Sequence, residues 1–190
     1  MKVILLGCGA LGSNLACNLM ADDLDIKLDV VDYDKVENRN IQAGTQFFLL
    51  EQIGMSKVEA LQYNVYKWFG KEINIHEVKL TNGIVGPWDL IIDAFDNYES
   101  RKIAKRWAEE TNQECIHLGF SPQRTFEVTW NENYVVPRQG RVEVDICEMR
   151  GARSFITHAA GIASSIIRDF LLSSVKKEVI GNAYTSRLII

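Results

Sequence analysis

The chain has 190 residues, 47% of them hydrophobic and 24% charged, with a formal net charge of −4, enough apolar material for one globular domain expected over residues 1–190. The acidic balance weighs against a sequence-independent nucleic-acid binder, so no nucleic-acid partner is expected, but it leaves room for a small anion held by backbone amides. Cys8, Cys17, Cys115 and Cys147 form no CxxC pair and no run of about 18 apolar residues appears, which excludes a zinc knuckle, suggests a reducing, cytoplasmic setting and leaves no membrane span expected.

In chain order, Lys2 to Leu6 is a β-branched apolar run read as a strand buried on both faces, not a signal peptide. Gly7–Gly12 turns the chain, and Ser13 to Ala21 has helical apolar spacing. Lys27 to Val31 is a second strand ending at Asp32. Residues 38–48 read as irregular, and Leu49 to Trp68 as a helix broken near Gly54. Strands are expected over Asn74–Val78 and Trp88–Ala94, the latter ending in acid at Asp93 and Asp96. A helix over Tyr98–Thr111 precedes a strand over Cys115–Phe120 and an alternating one over Thr125–Trp130. Residues 131–153 lack a pattern and read as a surface excursion or partner-facing loop; Ile156 to Ser174 is a long apolar helix. This alternation predicts an α/β fold: a doubly wound, Rossmann-like, mostly parallel sheet in a single domain.

Gly7, Gly9 and Gly12 spell GxGxxG between a strand and a helix. The first glycine permits the turn, the second lets backbone approach phosphate, and the third lets helix and strand pack closely. Phosphate would then sit at the helix N-terminus, where free N–H groups and the dipole favour negative charge. Asp32 lies beyond Gly12 at the spacing of a ribose-binding acid. These features suit NAD, FAD or ATP alike.

The residues beyond Asp32 narrow the choice. Asp32, Asp34, Asn40, Lys57 and Asp96 fall near the ends of successive elements, and the carboxyl ends of parallel strands converge on one crevice. Acids, an amide and a lysine suit a triphosphate with magnesium: Lys57 as a phosphate-facing charge, Asp96 as a hard oxygen ligand. A NAD-dependent oxidoreductase needs none of these and leaves DYDKVENRN and DAFDN unexplained.

The stretches VILLGCGALGSNLA, DYDKVENRNIQ, GMSKVEAL and IIDAFDNYESR, in that order, resemble the adenylation domain of the E1-like, ThiF-type superfamily. That family includes the thiamine and molybdopterin sulfur-carrier activating enzymes and the ubiquitin-activating enzymes. The resemblance covers at least Lys2 to Trp130. It implies an adenylyltransferase that binds ATP and magnesium and activates a carboxylate, the C-terminus of a small ubiquitin-like or sulfur-carrier protein, acting as a homodimer or heterodimer. By position it implies that Gly7, Gly9 and Gly12 shape the nucleotide loop and Asp32 holds the ribose. Asn40 and Lys57 would face the phosphates, with Asp34 assisting; Asp96 takes magnesium, and Arg101 braces the loop after its strand.

The sequence departs from the family pattern in four ways. Ala43 stands where the family's N-x-x-R-Q pattern has a triphosphate-contacting arginine, and Arg39 is not placed to replace its fork geometry. A second arginine comes from a helix ahead of the first strand of a partner protomer; with the first strand at Lys2, no such helix is expected. The CxxC pairs of many relatives are missing. Cys147 is the one candidate for a thioester- or persulfide-forming cysteine, though a structural thiol is the simpler reading. The Ala43 departure supports the alternative of an inactive E1-like nucleotide-binding subunit working with a partner. Elsewhere, Cys8, Cys17, Cys115 and His117 read as core, Asp96 also as a helix cap, and His158 as a residue able to face the crevice.

Overall fold

Runs of leucine and β-branched residues make the centre of the sheet. β1 (Lys2–Leu6) and β4 (Leu90–Asp93) are buried along almost their whole length, as parallel strands between two helical layers must be. A computed structural model of the chain describes residues 1–121, 123–137, 151–182 and 186–189. The other strands are β2 (Lys27–Asp32), β3 (Asn74–Glu77), β5 (Cys115–Phe120), β6 (Thr125–Trp130), β7 (Glu178–Asn182) and β8 (Ser186–Ile189). They form one eight-stranded sheet in the order β3-β2-β1-β4-β5-β6-β7-β8. The pairs from β3 to β5 are parallel, and those from β5 to β8 antiparallel. The order reverses between β1 and β4, and a doubly wound sheet opens its ligand crevice at such a switch point.

The helices are α1 (Ala10–Ala21), α2 (Asn38–Gln42), α3 (Lys57–Phe69), α4 (Tyr98–Thr111) and α5 (Arg153–Ser173), with a 3₁₀ turn over Leu50–Gln52. Strand periodicity divides β1 between two cores. Val3 and Leu5 join Leu15, Leu61 and Ile156 from α1, α3 and α5, whereas Ile4 and Leu6 join Ala104 and Trp107 from α4. Alternation in β6 aims Phe126 and Trp130 at α5, against Phe155 at 6.1 Å and Phe170 at 4.6 Å between ring centroids.

Helix α5 is the one helix among the described residues long and apolar enough to cross a membrane by length and composition, although polar residues interrupt its apolar run. Half of that stretch is buried within this fold. It packs along α1, with Ile156, Ala160, Ala163 and Ile167 in the core.

Three local expectations are corrected. Residues 38–42 are helical, not irregular: the Glu37 N–H donates to Asn40 Oδ1 at 2.7 Å, a polar start with no apolar periodicity to reveal it. The helix expected from Leu49 begins only at Lys57. Gly54 is left-handed at φ +93°, and residues 54–57 pair with 34–36 through Gly54 N to Val36 O (2.9 Å) and Lys57 N to Asp34 O (2.9 Å). Strands β7 and β8 are additions to the expected elements; both are short and exist by pairing outward from β6. Most of the pattern-poor stretch 131–153, Cys147 included, lies outside the described residues.

Candidate functional site

The turn after β1 is a close approach of three pieces of backbone. Gly7 has φ +97°, and a Cβ there would lie 3.0 Å from the carbonyl carbon and oxygen of Ala94. A Cβ on Gly12 would lie 2.0 Å from Gly7 O. Both positions are glycine because the protein's own backbone fills the space. Gly9 is different: its φ is −80°, and nothing lies within 4 Å of where its Cβ would be. That open side is a cradle into which a ligand can come against bare backbone. Gly9 is also the N-cap of α1, with no side-chain cap bond and no acid in the first turn. The positive end of α1 therefore faces the cradle with N–H groups to offer. Asn14 Nδ2 donates to Ala10 O at 2.7 Å and to Thr45 O at 2.8 Å, and Phe47 N donates to Ser13 Oγ at 3.1 Å, which bolts segment 45–47 onto α1.

Asp32, at the end of β2, closes the turn from the other side. Its Oδ2 accepts the Cys8 N–H at 2.7 Å and its Oδ1 the Asp34 N–H at 2.8 Å. Burial pushes its pKa above the ordinary value, against the opposing charge of Lys57 and the two N–H groups. Lys57, the first residue of α3, donates from Nζ to Asp34 Oδ2 at 3.0 Å and is only 8% exposed. Burial acts to lower its pKa, but Asp32 and Asp34 outweigh it and hold the ammonium above its usual range. The Cys8 thiol, buried, is raised well above its ordinary pKa by burial first and Asp32 second, so it is an inert wall of the turn.

Among the expected site residues, Gly7, Gly9, Gly12, Asp32, Asp34 and Lys57 thus meet at the carboxyl ends of β1 and β2. Asp96 joins them through its loop, since Gly7 abuts Ala94 and Phe95. Its carboxylate is exposed and carries no hydrogen bond among the described residues. It does not cap α4: Asn97 does, its Oδ1 accepting the Ser100 N–H at 2.9 Å. Asn40 is buried, and its side-chain oxygen starts α2. Arg101 is buried, donating from Nη1 to Tyr134 Oη at 2.9 Å and from Nη2 to Leu118 O at 2.8 Å; it braces α4 against β5 rather than reaching the cradle. His158 lines a surface groove of about 490 Å³ between α5 and β7, away from the glycine turn, so it does not face the crevice.

Two features had no local signal in the sequence. Arg153, at the start of α5, donates from Nη1 to Gly44 O, next to Ala43 in the chain and 109 residues back from Arg153. Asp93 and His117 form a fully buried pair.

The sequence matches the ThiF family over residues 1–183. The chain belongs to the ThiF family. Ubiquitin-like modifier-activating enzyme 5 of Caenorhabditis elegans is 31% identical over 138 residues, 63% of this chain and 32% of that protein. The enzyme of the same name from Caenorhabditis briggsae is 30% identical over 135 residues, 63% of this chain and 31% of that protein. This ThiF-family chain therefore spans about a third of the length of the curated relatives it matches. Among solved structures, E. coli MccB with ATP superposes at a TM-score of 0.76, with 16% identity, over 99% of this chain and 62% of that one. The microcin C7 biosynthetic enzyme MccB in complex with N-formylated MccA gives 0.79 at 14% identity, over 99% and 63%. PaaA gives 0.75 at 19%, also over 99% and 63%. At these identities the likeness is one of fold, and it is the Rossmann-like α/β architecture expected of the family.

Proposed function

We propose that this ThiF-family chain is an adenylyltransferase that binds ATP with magnesium and activates a carboxylate, the C-terminus of a small ubiquitin-like or sulfur-carrier protein. The carrying observation is the cradle at Gly9, open on the side of α1's uncapped N-terminus, with Asp32 and Lys57 placed around it at the β1/β4 switch point. The names of the relatives and the ATP complex of MccB support the same reading.

In this reading the α1 amides take the phosphates, and Asp32, already shaped by two N–H donors, accepts the ribose hydroxyls with its remaining lone pairs. Lys57 offsets the added negative charge. Asp34 holds its ammonium beside the turn, and Asp32 and Asp34 together keep it protonated against burial. The incoming carboxylate attacks the α-phosphorus, the bond to the bridging oxygen breaks, and pyrophosphate leaves with that electron pair. Magnesium supplies neutralisation of the phosphate charge. Asp96 fits it as a single exposed hard oxygen donor, since this ion typically takes one or two carboxylates and completes its shell with phosphates and water. Association with a second chain belongs to the same reading; Leu49, Leu50, Ile53 and Met55 are exposed apolar side chains within segment 49–55.

Ala43 favours a second reading, an inactive subunit paired with an active one. Pyrophosphate exchange into ATP, with a carboxy-terminal carrier peptide as acceptor, separates the two. Exchange by the wild type that Asp96→Ala abolishes supports the enzyme; ATP binding without exchange supports the subunit. Absence of any magnesium-dependent ATP binding refutes both.

A further inference from the structure

The carboxylate of Asp96 is exposed and carries no hydrogen bond among the described residues, so its position depends on the loop that carries it. That loop is held from behind by Asp93. Asp93 Oδ1 accepts the Phe95 N–H at 3.1 Å, and the Ala94 N–H donates to Leu6 O at 2.8 Å. Asp93 is fully buried, as is its partner His117, whose Nδ1 lies 2.8 Å from Asp93 Oδ2. The imidazole is fixed on its other sides as well. Nε2 lies 2.8 Å from Asn131 Oδ1 and 3.4 Å from Cys115 Sγ, and Tyr134 stacks on the ring at 3.8 Å with an interplanar angle of 9°. Tyr134 in turn accepts from Arg101 on α4, the helix into which the Asp96 loop runs. The cluster closes a ring: β4, β5, the segment after β6, α4, and back to the loop.

Resting on the nucleotide reading, we propose that His117 is a positioning residue for Asp96, acting through Asp93. The buried carboxylate needs donors on both oxygens, because an unsatisfied one is strongly unfavourable away from water. With His117 donating to Oδ2, Oδ1 stays on Phe95 N–H and the loop keeps one shape. Without that donor, Asp93 rotates or draws in water, the Phe95 N–H is released, and Asp96 samples positions unfit for a nucleotide-bound cation. The Gly9 cradle is built by β1, α1 and Asp32, none of which hydrogen-bonds to His117 among the described residues; the loop touches it through Ala94 and Phe95 at Gly7, so nucleotide binding without metal should fall by less than the magnesium response.

The test is calorimetric titration of ATP with and without magnesium, on wild type, His117→Leu and His117→Asn. The leucine variant removes the donor; the asparagine amide restores one near Nδ1. His117→Leu should need at least tenfold more magnesium for half-maximal enhancement of ATP binding, with metal-free binding falling by clearly less than that, and His117→Asn should recover most of the loss. A His117→Leu protein that folds and keeps wild-type magnesium dependence overturns the proposal. So does parallel loss of binding with and without metal in both variants, the mark of a purely structural role. Should the leucine variant not fold, imidazole ¹⁵N resonances of the wild type decide: adding magnesium to the ATP-bound protein should shift those of His117, and unmoved resonances overturn the inference. Wild-type protein that binds no ATP refutes the nucleotide reading itself and the inference with it. Normal magnesium-dependent binding with an indifferent His117 refutes the inference alone.

Discussion

Substituting Gly9 by alanine separates what the glycine turn does for the fold from what it does for a ligand. At φ −80° alanine meets no backbone strain, and its methyl group meets no atom within 4 Å. Restricting the unfolded chain gains about 0.4–1 kcal/mol. Replacing an N-cap glycine by alanine costs about 0.5–1 kcal/mol, the alanine cost of a capping residue less the few tenths that glycine already gives up. The two offset each other, so the Gly9→Ala protein should unfold within about 1 kcal/mol of wild type. The same methyl stands on the open side of the cradle, where it holds any phosphate off the α1 amides. ATP affinity should fall at least tenfold, about 1.4 kcal/mol. Gly12→Ala is the contrasting control. Its Cβ lies 2.0 Å from Gly7 O, against the 3.4 Å at which ordinary contact begins, so backbone must move by roughly 1.4 Å, the difference of the two. Overpacking of that kind costs about 1–3 kcal/mol, and rigid backbone on both sides puts it at the upper end. Denaturant unfolding and calorimetry with magnesium and ATP measure both quantities. A stable Gly9→Ala protein that binds ATP as well as wild type refutes the cradle as the nucleotide site.

Two more substitutions test the geometry. Ala43→Arg places a cation at the C-cap of α2, where the helix dipole favours it. ATP should bind several-fold more tightly by calorimetry, and no change would mean that the chain path at 43 does not lead to the phosphates, leaving Arg153 at Gly44 O as the nearer cation. The second concerns Tyr134, whose pKa burial pushes up to about 12. The unfolded chain loses that proton at about pH 10, so the folded state holds more protons between the two values. This stabilisation is intact below the unfolded value and fades as the pH rises through the folded one, by about 1.4 kcal/mol per pH unit. Denaturant unfolding at stepped alkaline pH should show a shallower decline in Tyr134→Phe than in wild type; equal slopes would refute the assignment.

Much of the geometry of the glycine turn was legible because its rules are local. Gly7 and Gly12 have to be glycine for the turn to close, and Asp32 ends a strand whose apolar run is visible in the residues alone. Helix α3 could be seen but not its start. Nothing in the residues from Leu49 onward says that 54–57 will pair with 34–36, and that pairing is what sets Lys57 beside Asp34. Strand β7 was hidden for a similar reason, since its partner β6 lies across the long helix α5, and β8 then pairs with β7.

Residue order was enough to set the alternation of strands and helices, the glycine turn, its acid and the family, all of which depend on neighbours a few residues apart. Packing was needed to tie the Asp96 loop through Asp93 to His117. Packing also brought Arg153 beside Ala43. The physical reason is range. A hydrogen bond between Asp93 and His117, or between Arg153 and Gly44, leaves no periodicity in the chain, because it forms only after the fold has brought distant segments together.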